Sequence, residues 1–326
     1  LIKKIFDTVI KLNRTFILNA RYFGIKLAIF NTLHIITYHY PRTSICHFVN
    51  KNRHKFVKKY LLNEFSEFLI NFKSSLPDIS KQIGRKSEEN IIWQCWWQGE
   101  EFLEGITKVC VDSVRKNFKS YKVVLITKDN YYKYVFLPKH IISKMENGEI
   151  SLTVFSDILR TSLLKQNGGL WIDVTVYITE KIKDRYLNLD FFSCKETSKD
   201  NFYVSNYRWS TFCFGGNKEH VVFDFISQFF YEYWKTKNIL IDYYLFDYII
   251  DIGYDNIESI KVAIDNVPIT NPSKHLLQEY LNKPYDSMLF ESLKTNTMFF
   301  KLSRKANYEN ILEDGKISFW GYLMDN

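Results

Sequence analysis

Apolar and basic positions are mixed at helical spacing through the first 86 residues. Residues 1–40, with KKIFDTVIKL followed by NARYFGIKLAIFNTLHIITYHY, predict amphipathic helix. Lys51–Phe72 predicts a second basic helix, in which KNRHKFVKK runs into YLLNEFSEFLINF. The longest uncharged stretch, Leu27–Tyr40, contains Asn31, His34 and His39 and falls short of the roughly 30 Å of hydrocarbon that a spanning helix must cover. Two readings of this pattern stay open: a basic helix lying in a membrane interface, or one packed on its own domain. Leu76–Asn90 is polar, carries Pro77 and Gly84, and predicts the loop that closes this segment.

From Asn90 the pattern changes. Asn90–Trp97 (NIIWQCWW) is an apolar, β-rich run, and after it Phe102, Ile106, Val109, Cys110 and Val114 recur at helical spacing. Tyr121–Thr127 (YKVVLIT) is a second apolar run of the kind a buried parallel strand requires. Strand, helix and strand in that order predict an α/β sheet with right-handed crossovers. Ser151–Gln166 predicts a helix with Leu152, Phe155, Ile158, Leu159 and Leu163 inward, ended by Asn167, Gly168 and Gly169. Leu170–Thr179 (LWIDVTVYIT) alternates strictly and predicts one strand, with Trp171, Asp173, Thr175 and Tyr177 on one face. Short strands and helices near His220–Lys235 and Asp242–Ile250 complete the chain. The expected organisation is a basic helical segment, 1–86, followed by an α/β domain, 87–326.

Composition narrows the class. With 46% hydrophobic and 25% charged residues among 326, the chain matches soluble globular usage, which argues against disorder, collagen and a polytopic membrane bundle. Residues 1–86 hold sixteen Lys and Arg against four acids, a net +12, so the overall +8 leaves −4 on the remainder. Such a segment suits an anionic partner, membrane or nucleic acid. No RRM, KH, zinc-finger or helix-turn-helix pattern accompanies it, which argues against nucleic acid. The five cysteines form no CxxC pair, and no secretory signal is read near the start, so a cytoplasmic, reducing setting is expected.

Asp173 draws attention because a carboxylate inside an apolar strand is costly unless it is paired or holds a cation. Together with Thr175, two residues on, it presents oxygens to Mg²⁺ or Mn²⁺; read structurally, it is an acid on a solvated strand face. Asp157 and Arg160 stand i, i+3 on the preceding helix, and the Gly168–Gly169 turn returns that helix beside Asp173. Arg160 suits an ion pair with Asp157 or a phosphate, and the two uses are compatible. Asp242, Asp247 and Asp251 mark an acidic, aromatic-rich helix, on which Asp247 and Asp251 share a face. Trp97 and Trp209 are aromatic rings near these motifs, and in Tyr207–Asn217 the Gly215–Gly216 pair permits a close approach.

Phe155–Arg160 (FSDILR) and Gly168–Val176 (GGLWIDVTV) resemble the S-D-x-x-R … G-G-x-W-x-D-x-T/D core of bacterial capsular polysaccharide synthesis glycosyltransferases. Ile91–Gly99 (IIWQCWWQG) is similar to that family's opening I-W-Q-x-W-x-Q-G strand. The resemblance implies a GT-A type, Rossmann-like sheet, similar to glycosyltransferase family 32, that binds a nucleotide sugar outside its strand ends. It implies a UDP- or GDP-sugar donor and a saccharide acceptor, capsular or lipid-linked, with Trp97, Trp209 and the Tyr207–Asn217 loop on the acceptor side and Asp247 the candidate base for the attacking hydroxyl. The basic N-terminal segment would then hold the enzyme against the anionic inner face of the cell membrane. By the same resemblance Trp93 and Gln94 lie near the nucleotide. Asp157, Arg160 and the Gly168–Gly169 turn belong to the donor side, and Asp173 holds Mn²⁺ or Mg²⁺ on the diphosphate. Thr175 stands where the wider group carries a second acid. The alternatives are a sugar-binding relative without catalysis and a basic nucleic-acid-binding protein.

Overall fold

The computed structural model describes residues 2–38, 40, 43–87, 89–180, 186, 189–197 and 202–325. The amphipathic first segment breaks at Gly24, whose φ of 91° favours a residue without Cβ, into α1 (Ile2–Phe23) and α2 (Ile25–Thr37). Helix α3 (Ser44–Glu64) starts at Thr43, whose hydroxyl accepts the Cys46 N–H at 3.3 Å. The second expected helix is two: α3 stops at Phe65 and α4 (Ser66–Ser74) follows. Their apolar faces enter the main core. Phe65 lies tilted 5.0 Å from Phe229, Phe72 lies 5.1 Å from Phe225, and the buried Arg53 pairs with the buried Asp242 at 3.1 Å. Breaking such a pair by removing one partner costs about 3–5 kcal/mol, so α3 is firmly docked. Helices α3 and α4 are therefore packed on the body of the protein, while one side of α2 stays in solvent.

After the short α5 (Ile79–Gln82), the apolar run becomes β1 (Ile91–Cys95). A crossover through α6 (Gly105–Asn117) leads to β2 (Lys122–Ile126), parallel to β1 with Trp93 opposite Val124. Helix α7 (Lys139–Glu146) precedes α8 (Leu152–Asn167), which is capped by the Ser151 hydroxyl and ended by Gly168 at φ 68°. The chain returns as β3 (Gly169–Ile172), parallel to β1. The alternating run then departs from the single strand expected of it. It turns at Asp173 and resumes as β4 (Val176–Ile178), because the Asp173 N–H bonds the Phe212 carbonyl at 2.8 Å and the Val176 N–H returns to the Asp173 carbonyl at 2.9 Å. The alternation survives the turn: Leu170, Ile172, Val176 and Ile178 all enter one apolar cluster.

Strands β5 (Phe191–Ser193) and β6 (Cys213–Gly216) complete a five-stranded sheet in the order β2-β1-β3-β6-β5, with β6 antiparallel to both its neighbours. Helices α9 (Val221–Thr236), α10 (Leu245–Asn256), α11 (Glu258–Asp265) and α12 (Ser287–Lys294) follow. Strand β7 (Phe299–Lys301) pairs antiparallel with β4, and α13 (Phe319–Asp325) ends the described chain. The architecture is the expected mixed α/β one: α8 and α9 pack on the sheet face that carries Trp93 and Trp171, and α6 packs on the face of Ile92 and Ile172.

The Gly215–Gly216 pair lies in β6, opposite Leu170 and Gly169, so these glycines serve strand pairing and not an acceptor loop. A Cβ on Gly215 would stand 2.2 Å from the Gly169 carbonyl oxygen. Gly215→Ala is therefore expected to lower unfolding stability by about 1–3 kcal/mol, as overpacking does. Urea denaturation checks this, and a loss below about 0.5 kcal/mol, the usual scale of a surface substitution, contradicts it.

Candidate active site at the carboxyl ends of β1 and β3

Open α/β sheets bind ligands beyond the carboxyl ends of their strands, and five ionisable side chains converge there. Asp173 leaves β3 at its carboxyl end, and the Trp171 indole donates to its Oδ1 at 2.8 Å. Arg160 Nη2 lies 3.3 Å from that same oxygen and 3.2 Å from Oδ1 of Asp157, one helical turn away on α8. Arg160 Nη1 donates to the Thr211 carbonyl, and the guanidinium stacks on Trp171 at 4.9 Å and Phe246 at 5.6 Å. At 6% exposure it is a buried tie between the two acids, and its Nε–H has no partner among the described groups. Lys301 Nζ donates to Asp173 Oδ2 at 2.6 Å and to Thr175 Oγ1 at 2.7 Å. Asp247, in the first turn of α10 where the helix dipole favours an anion, accepts the Trp209 indole N–H at 2.8 Å.

The structure thus brings together Asp157, Arg160, Asp173, Thr175, Asp247 and Trp209. No described hydrogen bond or ion pair joins Trp93, Gln94, Gly168 or Gly169 to them, although Gln94 lies one residue from the end of β1. Trp93 is 1% exposed and its indole donates to the Gly168 carbonyl at 2.8 Å inside the core. Gln94 is fully buried, with neither amide atom partnered among the described groups. Gly168 and Gly169 stand at the start of β3, the end opposite Asp173, where a Cβ on Gly168 would meet Ser87 Oγ at 2.3 Å. Trp93 and the glycine pair shape the sheet at a distance from the charged cluster. Trp97 packs its ring on Phe155 at 5.0 Å and Tyr131 at 5.3 Å, at the border of the cluster. Asp251, one turn beyond Asp247, is held by Lys58 and Arg208 and ties α10 to α3.

Three neighbours escaped the sequence reading. Lys301 is placed by register: it pairs with Val176, its N–H bonds the Lys274 carbonyl at 2.7 Å, and Asn271 Oδ1 fixes β7 by accepting the N–H groups of Met298 and Phe299. Tyr243 presents an exposed ring, and its phenol is raised first by partial desolvation and then by the nearby Asp157 and Asp173 charges. Arg304, three residues beyond Lys301, lies over the Trp96 ring at 5.5 Å in a cleft of about 560 Å³ that Tyr308 and Trp320 also line. No motif marks these residues; only β4–β7 pairing and the loop before α10 bring them here.

A family model described as capsular polysaccharide synthesis protein matches residues 39–319. The chain belongs to that family. No curated protein matches it in sequence. Among solved structures it is similar to the PaToxG glycosyltransferase, at 13% identity and a TM-score of 0.38, over 74% of this chain and 94% of that one.

The electrostatics of this family member's site divide its acids. Burial works to raise Asp173, but the charges of Lys301 and Arg160, with hydrogen bonds from Lys301 and Trp171, hold it below the usual carboxylate range. Burial pushes Asp157 up to about 7, with Arg160 offsetting only part and Asp173 and Asp247 adding to the rise. Burial likewise pushes Asp247 up to about 6 against the Trp209 hydrogen bond. A divalent cation does not fit the Asp173–Thr175 pair as arranged. The Lys301 ammonium already bridges the two side chains, Asp173 Oδ1 faces the Trp171 and Arg160 donors, and no group of three or more His, Cys, Asp or Glu able to hold a metal exists among the described residues.

A carboxylate raised on folding weakens the fold wherever it must ionise. The Asp247 contribution is nil below its unfolded value near 4, grows unfavourable as pH rises, and levels off above about 6. Asp247→Asn keeps an acceptor for Trp209 and is expected to be more stable than wild type above pH 6, by up to about 3 kcal/mol. The difference should vanish near pH 4. Equal melting temperatures at pH 8 would contradict this assignment.

Proposed function

We propose that this protein is a glycosyltransferase that moves a sugar from a nucleotide-diphosphate donor, a UDP- or GDP-sugar, to a capsular or other cell-surface saccharide, lipid-linked at the membrane. The observation that carries this reading is the cluster of two cations and three carboxylates at the strand ends, beside an aromatic cleft, in a capsular polysaccharide synthesis protein. In the transfer the bond from the anomeric carbon to the diphosphate breaks, and its electron pair stays on the diphosphate oxygen. The acceptor hydroxyl oxygen bonds that carbon and gives up its proton. Fixed positive charge at the strand ends favours the departing diphosphate, because preorganised charge needs no reorganisation as the bond breaks. Asp247, ionised above about pH 6, is suited to take the acceptor proton. The exposed Tyr243 ring suits a sugar face, and the cleft of Trp96, Tyr308, Trp320 and Arg304 suits a nucleoside.

Contact with an anionic inner leaflet is part of the same reading. No described helix is long and apolar enough to cross a membrane. Helix α2 instead exposes Ile25, Ile29, Leu33 and Ile36 along one side, and α1 exposes Ile17, Leu18 and Tyr22. Arg14, Arg21 and Lys26 are exposed around them. Apolar side chains rimmed by bases suit the interface of an anionic bilayer, where each base contributes about 1 kcal/mol.

Two measurements test these statements. UDP or GDP should raise the melting temperature by mass action, equivalent to about 2.7 kcal/mol at a hundred times Kd, and Asp173→Asn should reduce that rise. No rise with either nucleotide sinks the transferase reading. Wild type should sediment with phosphatidylglycerol vesicles and not with phosphatidylcholine ones, and a variant with Ile25, Ile29 and Ile36 changed to Ser should stay in solution. Sedimentation of that variant at the wild-type level would remove the membrane contact from the reading.

A further inference from the structure

Lys301 occupies a place that the sequence pattern assigns to something else. Its ammonium sits between a carboxylate and a hydroxyl two residues apart, 2.6 Å from Asp173 Oδ2 and 2.7 Å from Thr175 Oγ1. The same ion lies 5.3 Å from the Phe212 ring centre, and a quarter of the side chain, 26%, stays exposed. An ammonium has three donors, and these two bonds use two of them. Because the backbone of β7 is fixed by Asn271 and the Lys274 carbonyl, the ion is delivered by sheet pairing and not by a mobile loop.

We propose that the Lys301 ammonium, in place of a divalent cation, meets the diphosphate of the donor. The proposal rests on the sugar-transferase reading and deepens it. Asp173 and Thr175 hold Nζ at the strand end with one donor left for a phosphate oxygen. The positive charge stands where the leaving diphosphate gathers the electron pair of the broken anomeric bond, and a charge-assisted hydrogen bond there is of the strong kind. Asp173 is then an orienting group for the lysine instead of a metal ligand. Arg160 acts one step further back, holding Asp173 from its other oxygen.

The test uses the full chain, with UDP and GDP as probes and binding followed by calorimetry, in EDTA and again in Mn²⁺. Wild type is expected to bind the nucleotide equally in both conditions, within about twofold, less than 0.5 kcal/mol. Lys301→Met is expected to lose about tenfold or more in EDTA, equivalent to about 1.4 kcal/mol, and to regain affinity in Mn²⁺ because the vacated position between Asp173 and Thr175 opens to a cation. Lys301→Arg, which keeps the charge, should retain part of the affinity in EDTA and guards against misfolding of the Met variant. Wild-type binding that disappears in EDTA and returns with Mn²⁺ overturns the proposal while leaving the transferase reading intact. So does a folded Lys301→Met that binds as wild type in EDTA. Failure of wild type to bind either nucleotide in either condition removes the transferase reading itself, and this proposal with it.

Discussion

The constraint on which this molecule turns is the need to compensate buried charge at one end of a sheet. Three carboxylates and two cations come from four separate elements: α8 gives Asp157 and Arg160, the exit of β3 gives Asp173, α10 gives Asp247 and β7 gives Lys301. Ions taken from water cost several kcal/mol each unless they find partners, so none of these elements is free to shift alone. Arg160 is the hinge of the arrangement. It bonds two of the acids and the Thr211 carbonyl and stacks on two rings, so it fixes the carboxyl end of β3 relative to α8, to the loop before β6 and to Phe246 of α10.

The strand break at Asp173 follows from that constraint. Continuing β3 straight on would carry Asp173 past Arg160 and leave Phe212 without its N–H donor. Turning there places Thr175 beside Asp173 and sends β4 to a second sheet, whose only described partner is β7. Through this pairing the last strand of the chain returns Lys301 to the turn. The β4–β7 ladder has little area of its own, but it carries a cation across more than a hundred residues of sequence to the acid that needs it. The site and the small sheet are therefore one structural solution.

What the sequence disclosed and what it hid divide along range. The strand, helix and strand from Ile91 to Ile126 and the helix ending at Gly168 were legible because local periodicity and a helix stop signal coincide there. Asp157, Arg160 and Asp173 stood out for a related reason: they lie within seventeen residues, on a helix and strand joined by one tight turn. The break at Asp173 was hidden because Leu170, Ile172, Val176 and Ile178 keep their two-residue spacing across it and share one cluster, and period alone does not distinguish one strand from two that share a core. Trp93 looked like a donor contact because it is an aromatic at a motif position, but its indole serves the Gly168 carbonyl, a bond that exists only once β1 and β3 lie side by side. Lys301 carries no local mark at all.

The chemistry of the turn is best understood through charge. A pair of acids around a divalent cation and one acid with a hydroxyl around an ammonium are both neutral before a diphosphate arrives, so Thr175 in place of a second acid and Lys301 in place of the cation compensate each other. Either change alone would leave a net charge at a site partly withdrawn from water. A negative centre would repel the diphosphate, and an uncompensated positive one would weaken the fold through its own desolvation. The two arrangements differ in what holds the positive charge. A cation is recruited from solution, whereas an ammonium is supplied by the fold. In this chain Asn271, Lys274 and the β4–β7 ladder position that charge, so under the proposal that Lys301 meets the diphosphate, substitutions that loosen β7 would act on donor binding without touching the donor.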